Sequence, residues 1–243
     1  MVRFFVRPAE LQADELFLRD ENASHARVLR LKVGEQVLLC DGEGKECFCE
    51  VEDVQQGEYA LKAIEYRNSQ TEPNVFASVY MALPKADKLE HVIQKATELG
   101  AAEIVTFPTS RCVSRPDDKT LKKKLERWEK IAASAAEQSG RGRIPEVIVL
   151  PDYASALKRA AEADVAIVFY ENERANTLQQ TLKKAPYHTI SLLSGPEGGF
   201  EESEIVKAMD AGLQVCTLGS RILRCETAPL CALSAVMYDS GEF

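Results

Sequence analysis

Two segments in the last fifth of the chain carry residue types that could bind a ligand or do chemistry. The first is the glycine-rich segment 193–205 (LSGPEGGFEESEI), which follows an apolar, β-branched run and precedes residues at helical spacing. The second is segment 218–228 (LGSRILRCETA), which combines apolar residues with two arginines and follows another short apolar run. In open α/β sheets ligands bind beyond the carboxyl ends of strands, so both segments are candidate binding loops.

The composition of the first loop excludes the common phosphate-binding motifs. It lacks the Lys and Ser/Thr of a Walker A loop, and Gly195, Gly198 and Gly199 do not have G-x-G-x-x-G spacing. Nearby glutamates, Glu197 among them, would repel an anion. A proline–glycine turn explains one glycine, but three in five residues indicate close approach of the backbone to another group. The loop therefore favours a neutral or cationic ligand, and S-adenosylmethionine, with its sulfonium charge and uncharged adenosine, fits that description.

The second loop could supply both an apolar slot and positive charge. Four of its residues can wall a purine ring, namely Leu218, Gly219, Ile222 and Leu223. Its arginines, Arg221 and Arg224, could instead form salt bridges to Glu226 or Glu171, and this structural role suits Arg221. Arg224 stands just before Thr227, the predicted N-cap of the last helix. A rigid position beside a ligand slot favours a functional role for Arg224.

The elements that must position these loops fall into two predicted domains. Residues 1–70 form a small β-rich, barrel-like domain, in which strands at 36–40 and 46–51 flank the hairpin turn DGEG and a third strand covers 59–64. Residues 67–73 (RNSQTEP) are polar and end in proline, which is typical of a linker. In residues 74–243 strand and helix alternate six times, which predicts an α/β domain with a mostly parallel sheet covered on both faces. Asp87 and Glu90 resemble a capping box at the first helix of this domain.

Bulk composition limits the class of protein. No apolar run is long enough to span a bilayer and residues 1–10 lack a signal-peptide core, so we expect a cytoplasmic protein without membrane contact. The seven cysteines are scattered, and the single C-x-C (Cys47, Cys49) predicts no metal site. The net charge of −8 argues against indiscriminate nucleic-acid binding. Residues 111–143, however, hold ten Lys/Arg against five Asp/Glu, and arginines in polar loops suit phosphate contacts, whereas the lysines fit a solvated helix face.

GPEGGF and LGSRILRCETA resemble the paired signatures of the RsmE family, bacterial 16S ribosomal RNA uridine N3-methyltransferases of the SPOUT superfamily. The resemblance extends through KLEHVIQKATELG (88–100), SRC (110–112), AEQSGR (136–141) and HARVLR (25–30), so it covers nearly the whole chain. Pro229 is a local variation that costs little in a first helical turn.

The resemblance implies a fold and a set of site residues. The expected fold is a trefoil-knotted SPOUT methyltransferase domain preceded by a PUA-like β-barrel, working as a homodimer on the small ribosomal subunit, although topology rules alone would exclude a knot. S-adenosylmethionine is expected to be bound bent in the knot. The residues implied to bind it are Tyr170, Glu171, Leu193, Ser194, Gly195, Pro196, Gly198, Gly199, Leu218, Gly219, Ile222, Leu223 and Ala228.

Methylation of a uracil ring nitrogen requires removal of its proton and in-line attack on the methyl group. We assign to Arg224 the stabilisation of the negative charge that develops on the uracil, an effect worth roughly 3–4 kcal/mol. Glu197 or Glu226 could act as the base, and backbone groups or water are alternatives. RNA contacts are expected mainly through phosphates, from Arg3, Arg7, His25, Arg27, Arg30, Arg111, Arg115, Arg141 and Arg143. His25 could equally be a satisfied surface histidine.

Two other classes of protein fit parts of the sequence. A non-catalytic RNA-binding protein would use the β-rich domain for RNA and the second domain for dimerisation, and it would not bind S-adenosylmethionine. A nucleotide-dependent oxidoreductase would use the α/β sheet, but the sequence contains no correctly spaced glycine fingerprint for a dinucleotide. The methyltransferase accounts for both loops together.

Overall fold

The computed structural model describes residues 1–243 and divides the chain into two compact units. The first unit contains residues 1–72 and also residues 136–144, and the second contains 73–135 and 145–243. Residues 136–144 were predicted to lie in the second domain, whereas in the structure they group with the first unit. None of the helices combines the length and apolar character needed to cross a lipid bilayer.

The first unit is a mixed five-stranded sheet with two helices. Its elements are β1 (Val2–Phe5), α1 (Pro8–Leu11), β2 (Leu16–Leu18), α2 (Asp20–Val28), β3 (Gln36–Cys40), β4 (Lys45–Gln55) and β5 (Glu58–Asn68). The strand order is β1-β3-β4-β5-β2, in which β1 pairs parallel with β3 and the other pairs are antiparallel. The predicted DGEG hairpin joins β3 to β4, whereas β1, β2 and both helices were not predicted. Cys47 and Cys49 are fully buried in this unit's apolar core.

The predicted linker at 67–73 is largely ordered structure of the first unit. Arg67 and Asn68 belong to β5, and the backbone N–H of Ser69 donates to the Gly44 carbonyl at 2.8 Å. The carboxylate of Glu72 accepts hydrogen bonds from the backbone N–H groups of Gly142 and Arg143, at 3.0 and 3.1 Å. Glu72 thereby fixes segment 136–144 to the first unit.

The second unit is a six-stranded, wholly parallel sheet with helices. Its elements are β6 (Phe76–Ala82), α3 (Lys88–Glu98), β7 (Glu103–Phe107), α4 (Asp118–Ser139), whose last turn is grouped with the first unit, β8 (Glu146–Val149), α5 (Tyr153–Ala160), β9 (Val165–Phe169), α6 (Leu178–Leu182), β10 (Thr189–Ser194), α7 (Glu202–Asp210), β11 (Gln214–Cys216) and α8 (Thr227–Asp239). The strand order is β11-β9-β10-β6-β7-β8, which confirms the predicted parallel α/β sheet. Because all six strands are parallel, the segments that follow β6, β9, β10 and β11 emerge at one edge of the sheet.

Local sequence explains where several helices of this unit begin. The side chain of Asp152 accepts a hydrogen bond from Ser155 N at 2.7 Å, and Thr177 forms a capping box with Gln180. The capping box predicted at Asp87 is absent. Asp87 has φ −96° and ψ 15°, outside the extended conformation from which a cap side chain reaches the first turn, and it makes no cap hydrogen bond.

Candidate active site

A cavity of about 480 Å³ opens where the loops after β9, β10 and β11 meet. Most of the predicted cofactor-binding residues line it, namely Tyr170, Glu171, Ser194, Gly195, Pro196, Gly198, Gly199, Leu218, Gly219, Ile222, Leu223 and Ala228. Leu193 does not line the cavity and is fully buried in β10. Two of the predicted catalytic residues, Glu197 and Arg224, also line it, whereas Glu226 does not.

The glycines of the first loop are required by contacts within the protein. Gly199 has φ +65°, and a Cβ there would stand 2.6 Å from Glu171 Oε1. A Cβ on Gly195 would lie 3.2 Å from the Gly199 carbonyl carbon, and one on Gly198 would lie 3.3 Å from Arg111 Cβ. The close approach that the sequence predicted is therefore, at least in part, the approach of the loop to itself and to two neighbouring side chains.

A turn after β7 holds the glycine loop from outside the cavity. Arg111 Nη1 donates a hydrogen bond to the Gly198 carbonyl at 2.8 Å. The buried carboxylate of Glu204 accepts from Ser110 N at 3.0 Å and from Glu201 N at 2.9 Å, which closes the start of α7. Arg111, predicted to contact RNA, thus has a bond to the candidate cofactor loop.

The second loop presents an apolar wall. Gly219 has φ +107°, a conformation that favours glycine, and its N–H donates to Thr217 Oγ1 at 3.2 Å. Ile222 is 82% exposed, and both Ile222 and Leu223 line the cavity. An exposed isoleucine on an ordered loop is suited to cover an apolar ligand.

A cluster of charged side chains stands where the two loops meet. Lys88 Nζ lies 3.0 Å from Glu197 Oε1 and 3.4 Å from Glu226 Oε2. Glu197 also accepts a hydrogen bond from the backbone of Lys85 at 3.0 Å, and the Cys225 thiol lies 3.2 Å from Glu226 Oε2. Lys88 was not predicted as a site residue. Its position in the sequence could have indicated it. Lys88 begins α3, which follows the carboxyl end of β6, and β6 lies next to β10 in the sheet.

The cluster sets the ionisation of its members. Burial alone would raise the pKa of Glu197, but the hydrogen bond with Lys88 and backbone donors outweigh it, so its pKa lies below the ordinary value. In Glu226 the effect of burial is likewise outweighed, by hydrogen bonds from the backbone and Cys225 and by Lys88, and its pKa is lowered. The hydrogen bond with Glu197 raises the pKa of Lys88. Burial raises the pKa of the Cys225 thiol to about 11, so that thiol stays protonated and is not a nucleophile at neutral pH.

The arginines of the cavity are available to a ligand. The side chain of Arg224 is 84% exposed, and its Nη1 is 4.0 Å from Glu226 Oε1, at the limit of an ion pair. Arg221, for which the sequence favoured a salt bridge, is exposed and has no ion pair in the structure. Glu171, on the loop after β9, lines the cavity with no hydrogen-bond partner. The cavity therefore offers cations and a carboxylate that are not saturated by protein groups.

The predicted RNA-binding residues of the first unit differ in their environments. Arg3 Nη1 lies 2.6 Å from the fully buried carboxylate of Glu46, and Arg141 Nη2 lies 2.6 Å from Glu72. The exposed Arg7 pairs with Glu10 in the same turn. His25 Nδ1 lies 3.4 Å from Glu137 and its ring meets Phe4 edge-on.

The remaining members of the predicted RNA-binding set are more accessible. Arg27, Arg30 and Arg143 are exposed and make no ion pair in the structure. In the second unit, exposed Arg115 has one hydrogen-bond contact, to the Thr109 carbonyl at 3.5 Å, which is too long to hold it firmly. The structure thus divides the set into buried, paired arginines and exposed ones.

Comparison with known proteins identifies the family. The RNA methyltransferase domain family matches residues 71–237, and the RNA methyltransferase PUA domain matches residues 18–64. The chain is 36% identical over 251 aligned residues to ribosomal RNA small subunit methyltransferase E of Bacillus subtilis, covering 99% of this chain and 97% of that protein. It is 34% identical to the Mycobacterium bovis protein of the same name, over 89% of this chain and 83% of that one.

Solved structures of methyltransferases are also similar to this chain. The Neisseria gonorrhoeae ribosomal RNA small subunit methyltransferase E, bound to S-adenosylmethionine, has a TM-score of 0.88 at 30% identity, covering 98% of this chain and 97% of that one. A putative methyltransferase from Legionella pneumophila, in complex with the same cofactor, has a TM-score of 0.83 at 29% identity over the same shares of the two chains. The chain belongs to the ribosomal RNA small subunit methyltransferase E family of RNA methyltransferases.

Proposed function

We propose that this chain transfers the methyl group of S-adenosylmethionine to N3 of a uridine in the 16S ribosomal RNA of the small ribosomal subunit. The observation that carries the proposal is the cavity of about 480 Å³ between the two loops, within the size range of small-molecule sites. Its support from outside the chain is that two relatives, similar over 98% of this chain, bind S-adenosylmethionine.

The residues present fit this cofactor. The apolar wall formed by Leu218, Ile222 and Leu223 suits an adenine ring, and the backbone of the glycine loop can approach a ligand at its three glycines, which have no Cβ. The carboxylates of Glu171 and Glu197 suit the cationic part of the molecule. When bound, S-adenosylmethionine supplies an electrophilic methyl group on a positively charged sulfur.

Glu197 is the better of the two candidate bases. Its side chain lines the cavity, whereas Glu226 lies outside the lining and accepts a hydrogen bond from the Cys225 thiol. As a carboxylate it is ionised at neutral pH and can accept the N3 proton of the uracil directly or through water. Its lowered pKa makes it a weak base, so the transfer depends on stabilisation of the uracil anion by Arg224. The electron pair released by the N–H bond then forms the new N–C bond, and the electron pair of the C–S bond remains on sulfur.

Arg224 stabilises the charge that develops as the uracil loses its proton. Its guanidinium is 84% exposed beside the cavity, with one weak contact to Glu226, so it can turn to the two uracil carbonyl oxygens. A positive charge at that place favours the deprotonated ring. Arg221, exposed on the same loop, is available to the phosphates that flank the target base.

RNA is held mainly through phosphates by the exposed basic residues of both units. In the first unit these are Arg27, Arg30 and Arg143, joined by the exposed Arg7 and His25. Arg111 and Arg115 serve from the second unit. The pairing of Arg3 with buried Glu46 and of Arg141 with half-buried Glu72 favours a structural role for the two arginines, so we leave them out of the proposed RNA contacts.

The finer features of the fold are also part of the proposal. We infer that the first unit closes as a PUA-like barrel, that the second is knotted as a trefoil, and that two copies form a homodimer in the cytoplasm. The match to the RNA methyltransferase PUA domain supports the barrel, and membership of the family supports the knot and the homodimer.

Methyl transfer from isotopically labelled S-adenosylmethionine to small ribosomal subunits that lack the modification tests the function. We expect label in 16S ribosomal RNA and, after nuclease digestion and mass spectrometry, a single 3-methyluridine. Label at another base would overturn the N3 assignment, and absence of both transfer and cofactor binding would overturn the enzyme.

A further inference from the structure

The ammonium of Lys88 is shared between the two cavity loops. It lies 3.0 Å from Glu197 on the glycine loop and 3.4 Å from Glu226 on the loop that precedes α8. Cys225 Sγ is a further neighbour at 3.7 Å. We propose that Lys88 is a positioning residue that ties the glycine loop to the second loop and so fixes the shape of the cofactor pocket. The identity of the ligand in that pocket rests on the function proposed above.

The geometry distinguishes this cluster from an ordinary surface ion pair. The Lys88 side chain is 31% exposed, and those of Glu197 and Glu226 are 28% and 19% exposed, so water screens these charges only in part. One ammonium carries three donors, which matches its three neighbours. A pair confined to one helix, such as Lys95 with Glu98 on α3, cannot link separate loops.

Each carboxylate is also held from a second direction. The backbone N–H of Lys85 donates to Glu197 at 3.0 Å, and the Cys225 thiol donates to Glu226 at 3.2 Å. The network therefore connects the segment after β6, the glycine loop and the second loop. Without the ammonium, two carboxylates would face each other with no cation between them, and their repulsion would separate the loops.

Two other roles for Lys88 fit the structure less well. An RNA phosphate would have to displace two carboxylates from the ammonium, which are already within ion-pair distance. A general base must be neutral, whereas the hydrogen bond with Glu197 raises the pKa of Lys88 and keeps it charged. The cluster carries one positive against two negative charges, an excess that complements a cationic cofactor.

The test uses three full-length variants. Lys88→Met removes the charge and keeps the length of the side chain, Lys88→Arg keeps a cation that can bridge two carboxylates, and Lys95→Met removes a similarly exposed, paired lysine from the same helix. Hydrogen–deuterium exchange of the free protein reports the loops at 195–200 and 218–227, and calorimetry reports affinity for S-adenosylmethionine.

We expect Lys88→Met to speed exchange in both loops and to weaken cofactor binding roughly three- to tenfold, the scale of partly screened ion pairs. Lys88→Arg should restore both quantities to within about twofold, and Lys95→Met should match the wild type in both. Unchanged exchange in either loop of Lys88→Met, or equal impairment in Lys88→Arg, would overturn the proposal. Loss of RNA affinity alone would overturn it in favour of a phosphate contact.

A double variant keeps the test valid if Lys88→Met folds poorly. Glu197→Gln with Glu226→Gln removes both carboxylates, so adding Lys88→Met to it should change loop exchange no further. An additional change would show that Lys88 acts through other groups and would overturn the proposal. If the wild type failed to bind S-adenosylmethionine but Lys88→Met still raised the exchange rate of both loops, the proposed function would be overturned, whereas the role of Lys88 in tying the two loops together would be supported.

Discussion

The two units use the same charged residue types in opposite ways. In the first unit, Glu46 is 1% exposed and receives Arg3 at 2.6 Å and Arg67 at 3.0 Å, so each carboxylate oxygen has a guanidinium partner. In the cavity of the second unit, Arg224 is 84% exposed and has one contact at 4.0 Å. A saturated, buried cluster has no capacity left for a ligand, whereas an exposed arginine beside a cavity has several free donors.

Arginine content alone therefore does not locate an RNA site. Arg3 and Arg141 lie in basic stretches of the sequence, yet both form ion pairs with carboxylates of their own unit. Arg143, two residues from Arg141, is exposed with no ion pair. Segment 136–144 thus contains one arginine that is paired within its own unit, Arg141, and one that can contact a phosphate, Arg143.

Substituting Arg224 should produce the largest effect, because it removes charge stabilisation at the reacting base. We expect Arg224→Ala to lower turnover about 100- to 1,000-fold, the usual cost of losing one preorganised donor. Arg224→Lys should recover part of the loss, since a charge remains without the bidentate fork. Single-turnover kinetics measures the rate and calorimetry the cofactor affinity, which should stay near wild type. Normal turnover in Arg224→Ala would end the assignment.

Substituting Glu46 should destabilise the buried charged cluster of the first unit. Glu46→Gln leaves Arg3, 11% exposed, without its anion, and we expect the free energy of unfolding of the first unit to fall. The loss should be about 3 kcal/mol, as for other broken buried pairs. Glu10→Gln is the matched control, because its pair with Arg7 is exposed and should contribute less than about 1 kcal/mol. Urea titration measures both, and equal effects would remove the distinction between buried and exposed pairs.

The buried cluster should also make stability depend on acid. Burial alone would raise the pKa of Glu46, but hydrogen bonds from Arg3, Ser69 and Arg67 outweigh it and place the pKa below the ordinary 4.5. A lowered folded-state pKa means that unfolding takes up a proton, so this stability is present above pH 4.5 and is lost as the pH falls through the folded value. Thermal melts between pH 7 and acidic pH should show the melting temperature falling as the pH falls, and Glu46→Gln should reduce that fall. If the melting temperature of Glu46→Gln fell as steeply as that of the wild type, the pH dependence would belong to other groups.

The smallest effects are expected for the exposed arginines of the first unit. Arg143→Ala should lower the slope of log affinity for RNA against log salt by about 1 and leave thermal stability unchanged. Arg141→Ala should instead lower stability, because the Glu72 carboxylate loses its guanidinium partner. Filter binding across salt concentrations and thermal melts separate the two outcomes. If Arg141→Ala changed only the salt slope, the division of the set would be wrong.

Local sequence predicted more of the second unit than of the first. The sixfold alternation of strand and helix predicted for residues 74–243 is present as strands β6 to β11 and helices α3 to α8. In the first unit, β1 and β2 were missed because they have four and three residues, too few to show a period. Short strands of this kind are ordered by their partners β3 and β5.

The sequence predicted those parts of the candidate site that local composition identifies. The two loops were identified by glycines and apolar residues at strand ends, and most of their residues line one cavity. Lys88 was missed because a lysine at a helix start is common in sequence, and its significance comes from two carboxylates contributed by distant loops. The interpretation of the glycines also changed, because the neighbours of Gly198 and Gly199 include Arg111 and Glu171, far away in the chain.

Local sequence was enough to predict the alternating elements of the second unit, the hairpin of the first, the two candidate loops and the family resemblance, because periodicity, turn chemistry and motif spacing are local properties. Which charges are neutralised became visible in the folded protein. Arg3 and Arg141 are paired, Lys88 is shared between loops and Arg224 is exposed. The physical reason is that the availability of a charge depends on burial and on opposite charges within a few ångströms, and folding supplies those partners from remote parts of the chain.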